Sequence, residues 1–235
     1  MARNVDSYGI DHLAITGGEL ARLTHRHPLG WLSACIFVQI LFKSVLYADN
    51  IKKDEFKNII SDSILRLRSL RIFHPIIPCT WDKSKSYGEV FDLYITYLDL
   101  IIKKAILFAE SGMSDLDGIH KIGKGWVAEE VLAIAIFCVL RHFGDFEGAV
   151  VASVNHDGNS NSTGVITGNI IGAMVGYNSI PKYYKTDLEL RDLILSVAQD
   201  LYTGCIINEY DPIDTLEKKQ WLYRYVKNAH YHEYK

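Results

Sequence analysis

Neither sign of charge dominates this chain: Lys and Arg number 25 against 28 Asp and Glu, for a net charge of −3. That balance excludes a broad electrostatic surface for nucleic acid. Cysteine is scarce, and Cys35, Cys79, Cys138 and Cys205 form no paired spacing. A disulfide framework is excluded. Cys35 and Cys138 lie inside apolar runs, which reads as buried free thiols in a reducing, cytoplasmic compartment. No secretory signal is visible, because Met1 to Tyr8 is polar and no apolar segment follows a charged start. No clean apolar run reaches the roughly 18–20 residues that a membrane span needs. The most apolar window, Trp31 to Leu46, is interrupted by Gln39 and Lys43. Proline is rare, strand-like alternation is almost absent, and no linker, low-complexity segment or short repeat appears.

What remains is helical period in nearly every segment. At 235 residues and 49% apolar content, the chain is long enough for a sizeable core and too apolar for disorder. The pattern predicts one all-α domain over residues 1–235, a compact multi-helix bundle. Helices are expected at about Asp11–Leu23, Leu29–Tyr47, Asp54–Phe73, Gly88–Glu110, Trp126–His142, Phe146–Val154 and Asp187–Tyr202. Pro28 suits a first helical position. Phe56, Ile60, Ile64, Leu67 and Leu70 share one face of the third helix. Phe91, Tyr94, Leu98, Ile101, Ala105 and Phe108 share one face of the fourth. Val131 to Leu140 carries no polar side chain except the thiol of Cys138, so that helix must be enclosed on most sides. His74–Lys85 and Ser111–Gly125 read as loops. The tail, Asp211–Lys235, is aromatic and basic, and reads as a packed or oligomer-facing helix with a frayed end.

One polar stretch organises the rest: Val154-Asn155-His156-Asp157-Gly158-Asn159-Ser160-Asn161-Ser162-Thr163-Gly164. Asn161, Ser162 and Thr163 are the expected starters of the helix that follows, since their side-chain oxygens can accept free first-turn N–H groups. That helix carries Gly164, Gly168, Gly172 and Gly176. Each costs roughly 1 kcal/mol of helix propensity against Ala, so close packing against a neighbour is expected as the compensation. The same four-residue spacing occurs in membrane dimers, but Asn169 lies within it and a soluble helix is expected. A polar loop held against a helix start suits an anion or a metal.

Two other constellations could carry chemistry. In Thr24-His25-Arg26-His27-Pro28 the histidines stand two apart and do not share a helix face, so a structural role near a helix start is favoured over a ligand pair. In Ile122-Gly123-Lys124-Gly125-Trp126-Val127-Ala128-Glu129-Glu130 the glycines permit close backbone approach. Trp126 there offers an aromatic face for a base or ribose. Taken alone, the second segment is an ordinary loop and the Asp157 stretch a cap and turn.

Together these three segments resemble the ADP-ribosylglycohydrolase family. Its metal-binding signature runs approximately Asn-His-Asp-Gly-Asp-Ser-Asp-Ser-Thr-Gly. This chain matches at Asn155, His156, Asp157, Gly158, Ser160, Ser162, Thr163 and Gly164. The Thr24-His25-x-His27-Pro28 segment is similar to a Leu-Thr-His-x-His/Asp-Pro segment of the family. Gly123, Gly125, Trp126 and Glu129 fit its Gly-x-Gly-[Trp/Tyr]-x-[Ala/Gly]-Glu loop. The likeness spans roughly Asp11 to Lys182 and implies the family's helical fold in an N-terminally shortened form. It implies a ligand set of Gly123, Gly125 and Trp126 toward adenosine or diphosphate, with Asn155, His156, Asp157 and Ser162 toward ribose. It also implies magnesium at the positions of Asn159, Asn161 and Ser162. The chain departs from the family where it carries Asn159 and Asn161 in place of two ligating aspartates, and in lacking a Thr-Asp-Asp segment before Thr24. No catalytic residue can be assigned, and any residual cation would depend on Asp157.

Three functions follow as expectations. The first is a degenerate glycohydrolase, its metal site deficient, that still binds ADP-ribose or an ADP-ribosylated protein. The second is a magnesium-dependent hydrolase of ADP-ribosyl bonds, completed by a complementing N-terminal chain or restored from an altered form. The third is a structural or interaction protein, such as a homo-oligomer built through the aromatic tail. None involves nucleic acid or a membrane.

Overall fold

A computed structural model describes residues 7–48, 50–70, 84–204 and 214–223. Among these residues there are eleven helices and no strand. The chain divides into two compact units, residues 1–180 and 181–235. The first holds α1 (Ser7–Arg22), α2 (Pro28–Leu46), α3 (Lys53–Ser69), α4 (Tyr87–Ala109), α5 (Asp115–Ile122), α6 (Ala128–Arg141), α7 (Phe146–Val154) and α8 (Ser160–Ser179). The second holds α9 (Tyr183–Thr186), α10 (Arg191–Thr203) and α11 (Leu216–Trp221).

Caps explain most of the starts in the first unit. His27 accepts the Leu29 N–H at Nδ1 ahead of Pro28, which opens α2. Ser86 and Glu89 form a reciprocal box at α4: the Ser86 hydroxyl accepts the Glu89 N–H and the Glu89 carboxylate accepts the Ser86 N–H. Asp145 accepts the Gly148 N–H to start α7. The predicted α3 face of Phe56, Ile60, Ile64, Leu67 and Leu70 is buried. The predicted α4 face is buried at Phe91, Leu98, Ile101 and Ala105, with Tyr94 and Phe108 packed at its margin.

α6 is the centre. Every residue from Val131 to Leu140 is buried, and the helix packs against α2, α4, α5, α7 and α8. Arg141 anchors its end by donating to the carbonyls of Ser111 and Met113 beyond α4. α2 is long and apolar enough to cross a membrane by length and composition. Here it packs against α1, α3, α4, α6 and α8. The side-chain amide of its buried Gln39 donates to the Cys35 carbonyl at 3.1 Å. Gly17 and Gly18 bring α1 against it: a Cβ on Gly18 would stand 2.5 Å from the Cys35 sulfur. Burial pushes the Cys35 thiol up to about 12 and the Cys138 thiol up as well, so neither supplies a thiolate near neutral pH.

Several expectations are corrected. Ser111–Gly125 is not all loop: Ser114 accepts the Asp117 N–H and α5 follows, burying Ile119 and Ile122. Gly118, which weakens the helical signal, is needed because a Cβ there would collide with the Phe137 ring. The cap of α8 is Asn159, not Asn161, Ser162 or Thr163, since its Oδ1 accepts the Ser162 N–H at 3.3 Å. The four glycines of α8 do not form one packed stripe. A Cβ on Gly164 would meet Val154 at 2.6 Å, but nothing lies within 4 Å of one on Gly168 or Gly176. Gly176 instead takes φ 73° at a kink.

In the second unit α10 begins at Arg191, because Leu190 adopts a left-handed conformation (φ 57°), and it ends at Gly204 (φ 76°). Its Ile194, Val197 and Leu201 are exposed. Of the expected tail helix, α11 is described, started by the Thr215 hydroxyl accepting the Lys218 N–H; residues 224–235 lie outside the described residues. So do Cys79, Cys205 and most of the His74–Lys85 loop.

Candidate functional site

Three helix N-termini meet at one cleft. α2, α6 and α8 contribute their first turns, through His27 and Gly30, Ala128 and Glu129, and Asn161 and Ser162. The cleft has a volume of about 1030 Å³, at the upper end of the roughly 300–1,000 Å³ usual for small-molecule sites. Its polar lining is His25, Arg26, His27, Ser33, Glu129, Asn159, Asn161 and Ser162. Further along the same helices it becomes apolar, with Ala34, Phe37, Leu132 and Ile166. Helix N-termini carry partial positive charge and unpaired N–H groups, so their convergence favours an anion. Arg26 adds a full charge to that end.

Two loops form one wall and are tied backbone to backbone. Asn159 donates its N–H to the Lys124 carbonyl at 2.7 Å. The Glu130 carboxylate turns back from α6 to accept the N–H groups of Lys124 (3.1 Å) and Gly125 (2.9 Å). Gly125 has φ 72°, and a Cβ there would press on Thr163 at 2.8 Å. Trp126 follows among the lining residues, 69% exposed.

The polar loop before α8 is held by a relay. Nδ1 of His156 accepts the Gly158 N–H (3.1 Å), so the proton lies on Nε2, which donates to the Thr163 hydroxyl (3.0 Å). That hydroxyl donates to the Ser153 carbonyl at 2.6 Å. Asn155 donates to the Val151 carbonyl at 2.7 Å, capping α7 from its side chain. Asp157 receives His120 Nε2 at 2.8 Å and Lys124 Nζ at 3.1 Å. Lys124 first, then His120, hold its carboxyl below the usual carboxylate range.

The predicted site residues therefore separate. Gly125, Trp126, Asn159, Asn161 and Ser162 line the cleft. Asn155, His156 and Asp157 brace the loop behind it, and Gly123 closes α5, where a Cβ would collide with the Glu130 side chain. The expectation that Asp157 would hold a residual cation meets a carboxylate already engaged by two basic side chains. Sequence reasoning passed over His25, His27 and the α2 face of Gly30, Ser33, Ala34 and Phe37 as cleft residues.

Glu129 is the carboxylate of the cleft, 8% exposed, and burial raises its pKa above the usual value. Magnesium, which the family resemblance implies, does not fit the donors at the start of α8. Asn159 already spends Oδ1 on its cap, and Asn161 and Ser162 are neutral. A hard divalent ion commonly takes one or two carboxylates there. Among the described residues no group of three or more His, Cys, Asp or Glu is gathered as for a metal ion.

A family model described as ADP-ribosylglycohydrolase matches residues 5–210. No curated protein and no solved structure was found to match the chain.

Proposed function

The chain belongs to the ADP-ribosylglycohydrolase family, and on that premise we propose that its cleft binds ADP-ribose, free or attached to a protein, without a magnesium pair. One observation carries the reading. Asn159 and Asn161 line a cleft entered by three helix N-termini. Replacing two anions by amides at such a place removes the charge that holds cations and that repels phosphate. Each carboxylate about 4 Å from a divalent ion is worth on the order of several kcal/mol, even at an effective dielectric near 20. Without them the helix dipoles act on an anion unopposed, apart from Glu129.

In this reading the diphosphate lies toward Arg26 and the first turns of α2, α6 and α8. The exposed Trp126 ring offers a stacking face. Glu129, whose carboxyl pKa burial raises above the usual value, lines the α6 side of the cleft and can accept a hydrogen bond from a ribose hydroxyl. In this reading hydrolysis of the glycosidic bond is impaired, because Glu129 is the one carboxylate among the described residues that line the cleft. The two buried, unpaired thiols of Cys35 and Cys138 support a cytoplasmic setting.

Calorimetric titration with ADP-ribose, in magnesium and then in chelator, tests the proposal. Equal affinity in both is the expected result. Loss of binding on chelation would overturn it, as would magnesium-dependent release of ADP-ribose from modified arginine or serine at enzymatic rates. Asn159→Asp with Asn161→Asp should create magnesium affinity where the parent chain has none and weaken ADP-ribose binding in chelator.

A further inference from the structure

Two adjacent glutamates open α6 and are used differently. Glu130 is spent: its carboxylate accepts the N–H groups of Lys124 and Gly125. Glu129 lines the cleft and is 8% exposed, yet no side chain among the described residues donates to its carboxylate. What acts on it is burial, its own backbone N–H, and the charges of His27 and Glu130. His27 is itself a cleft residue, at the start of α2, so the Glu129 carboxylate stands on the side of α6 that looks toward α2. Nor is it sealed in. The buried, unpaired side-chain atoms shut off from solvent belong to Ser33, Gln39, Ser44 and Thr167, and those of Glu129 are not among them. A carboxylate this buried, unpaired by the protein and still reachable is costly to leave alone. At a cleft wall the donor it lacks is one that arrives with a ligand.

The surroundings limit what that donor is. A cationic group is opposed here, because the first turns of α2, α6 and α8 bring partial positive charge and Arg26 a full one. A phosphate at this point is opposed by the carboxylate itself. What remains is a neutral group carrying O–H or N–H. Adenine sets its amino group beside ring nitrogens that are acceptors, so one carboxylate oxygen would face a lone pair. A cis-diol sets two hydroxyls side by side, one for each oxygen. Hydrogen bonds to an ionised acceptor are the stronger kind, and a phosphate on the same sugar can lie toward Arg26 and the helix starts.

We propose that Glu129 is the specificity-determining residue of the cleft, its carboxylate accepting both hydrogen bonds of a ribose cis-diol and so selecting ribose over deoxyribose. That the diol belongs to ADP-ribose rests on the reading above; the grip itself rests on the unspent carboxylate at the meeting of three helix starts. Division of labour between neighbours follows: Glu130 shapes the wall, and Glu129 reads the sugar.

Calorimetric titration of the parent chain and of Glu129→Gln tests it, with ribose 5-phosphate, 2-deoxyribose 5-phosphate and ADP-ribose as ligands. The parent should bind ribose 5-phosphate about tenfold more tightly than the deoxy sugar, the factor that one hydrogen bond to a charged acceptor is worth. In Glu129→Gln that ratio should fall to about threefold or less. The ratio, unlike absolute affinity, is not moved by a general loosening of the cleft. A parent that binds the two sugar phosphates equally, or binds neither, overturns the inference whatever the variant does. So does a variant that keeps the parent's ratio. ADP-ribose separates the two readings. If it binds the parent while the sugar ratio is flat, the inference fails and the binding function stands. If it does not bind while the sugar ratio is present and depends on Glu129, the binding function fails and the inference stands.

Discussion

Asn159 gives its backbone N–H to the carbonyl of Lys124 at 2.7 Å, and this bond joins the two loops that wall the cleft. It is possible because Gly158 has no side chain: a Cβ there would be driven into the same Lys124 carbonyl. Backbone cannot swing aside as a flexible side chain can. Gly158→Ala should therefore destabilise the protein by about 2 kcal/mol or more. At roughly 2–4 °C per kcal/mol for a chain of this size, the melting temperature should fall by at least about 4 °C. Scanning calorimetry of the variant measures it.

The Asp157 latch makes a pH-dependent prediction. Lys124 and His120 lower its folded pKa below the ordinary 3.8. A depressed carboxylate contributes stability that is present above the unfolded value and lost as pH falls through the folded one. Melting curves of the parent and of Asp157→Asn should differ near neutral pH and converge as the pH drops below 3.8. The groups are exposed, so the gap should also shrink in high salt.

Glu129 predicts the opposite sign. Burial raises its folded pKa, so the folded state holds the proton more tightly than the unfolded chain. Stability is then lost as pH rises from the unfolded value of 4.5 through the folded one. Glu129→Gln should melt higher than the parent at pH 7–8 and show no advantage near pH 4. A pH series of melting temperatures for both proteins would expose an error in sign at once.

The glycines of α8 make a paired prediction. Gly168 has nothing within 4 Å of an added Cβ, whereas one on Gly164 meets Val154 at 2.6 Å. Gly168→Ala should stabilise by about 0.5–1 kcal/mol through helix propensity and reduced freedom of the unfolded chain. Gly164→Ala should gain nothing, because the same benefit is offset by displacing Val154. Urea titration of both variants separates the two effects.

The helices were legible because their signals are local. The apolar faces of α3 and α4 and the enclosure of α6 could be read from periodicity alone, and the family likeness from three short segments. α5 was hidden by Gly118, whose value lies in leaving room for Phe137, a residue of a different helix. Asp157 looked like a ligand because its neighbours in sequence are loop amides. Its partners, His120 and Lys124, are 37 and 33 residues away, and no motif records such a pairing. The cleft face of α2 was obscured for another reason: the helix is apolar nearly all round, so Gly30, Ser33, Ala34 and Phe37 do not stand out against it.

The burial of α6 has a consequence for how the cleft responds to an arriving molecule. Amides in so enclosed a helix exchange with solvent through wholesale unfolding, not through local opening. The first turn of that helix is part of the entrance, so one side of the entrance is fixed to the slowest-opening part of the molecule. A guest finds that side already in position and sacrifices little chain freedom in settling against it.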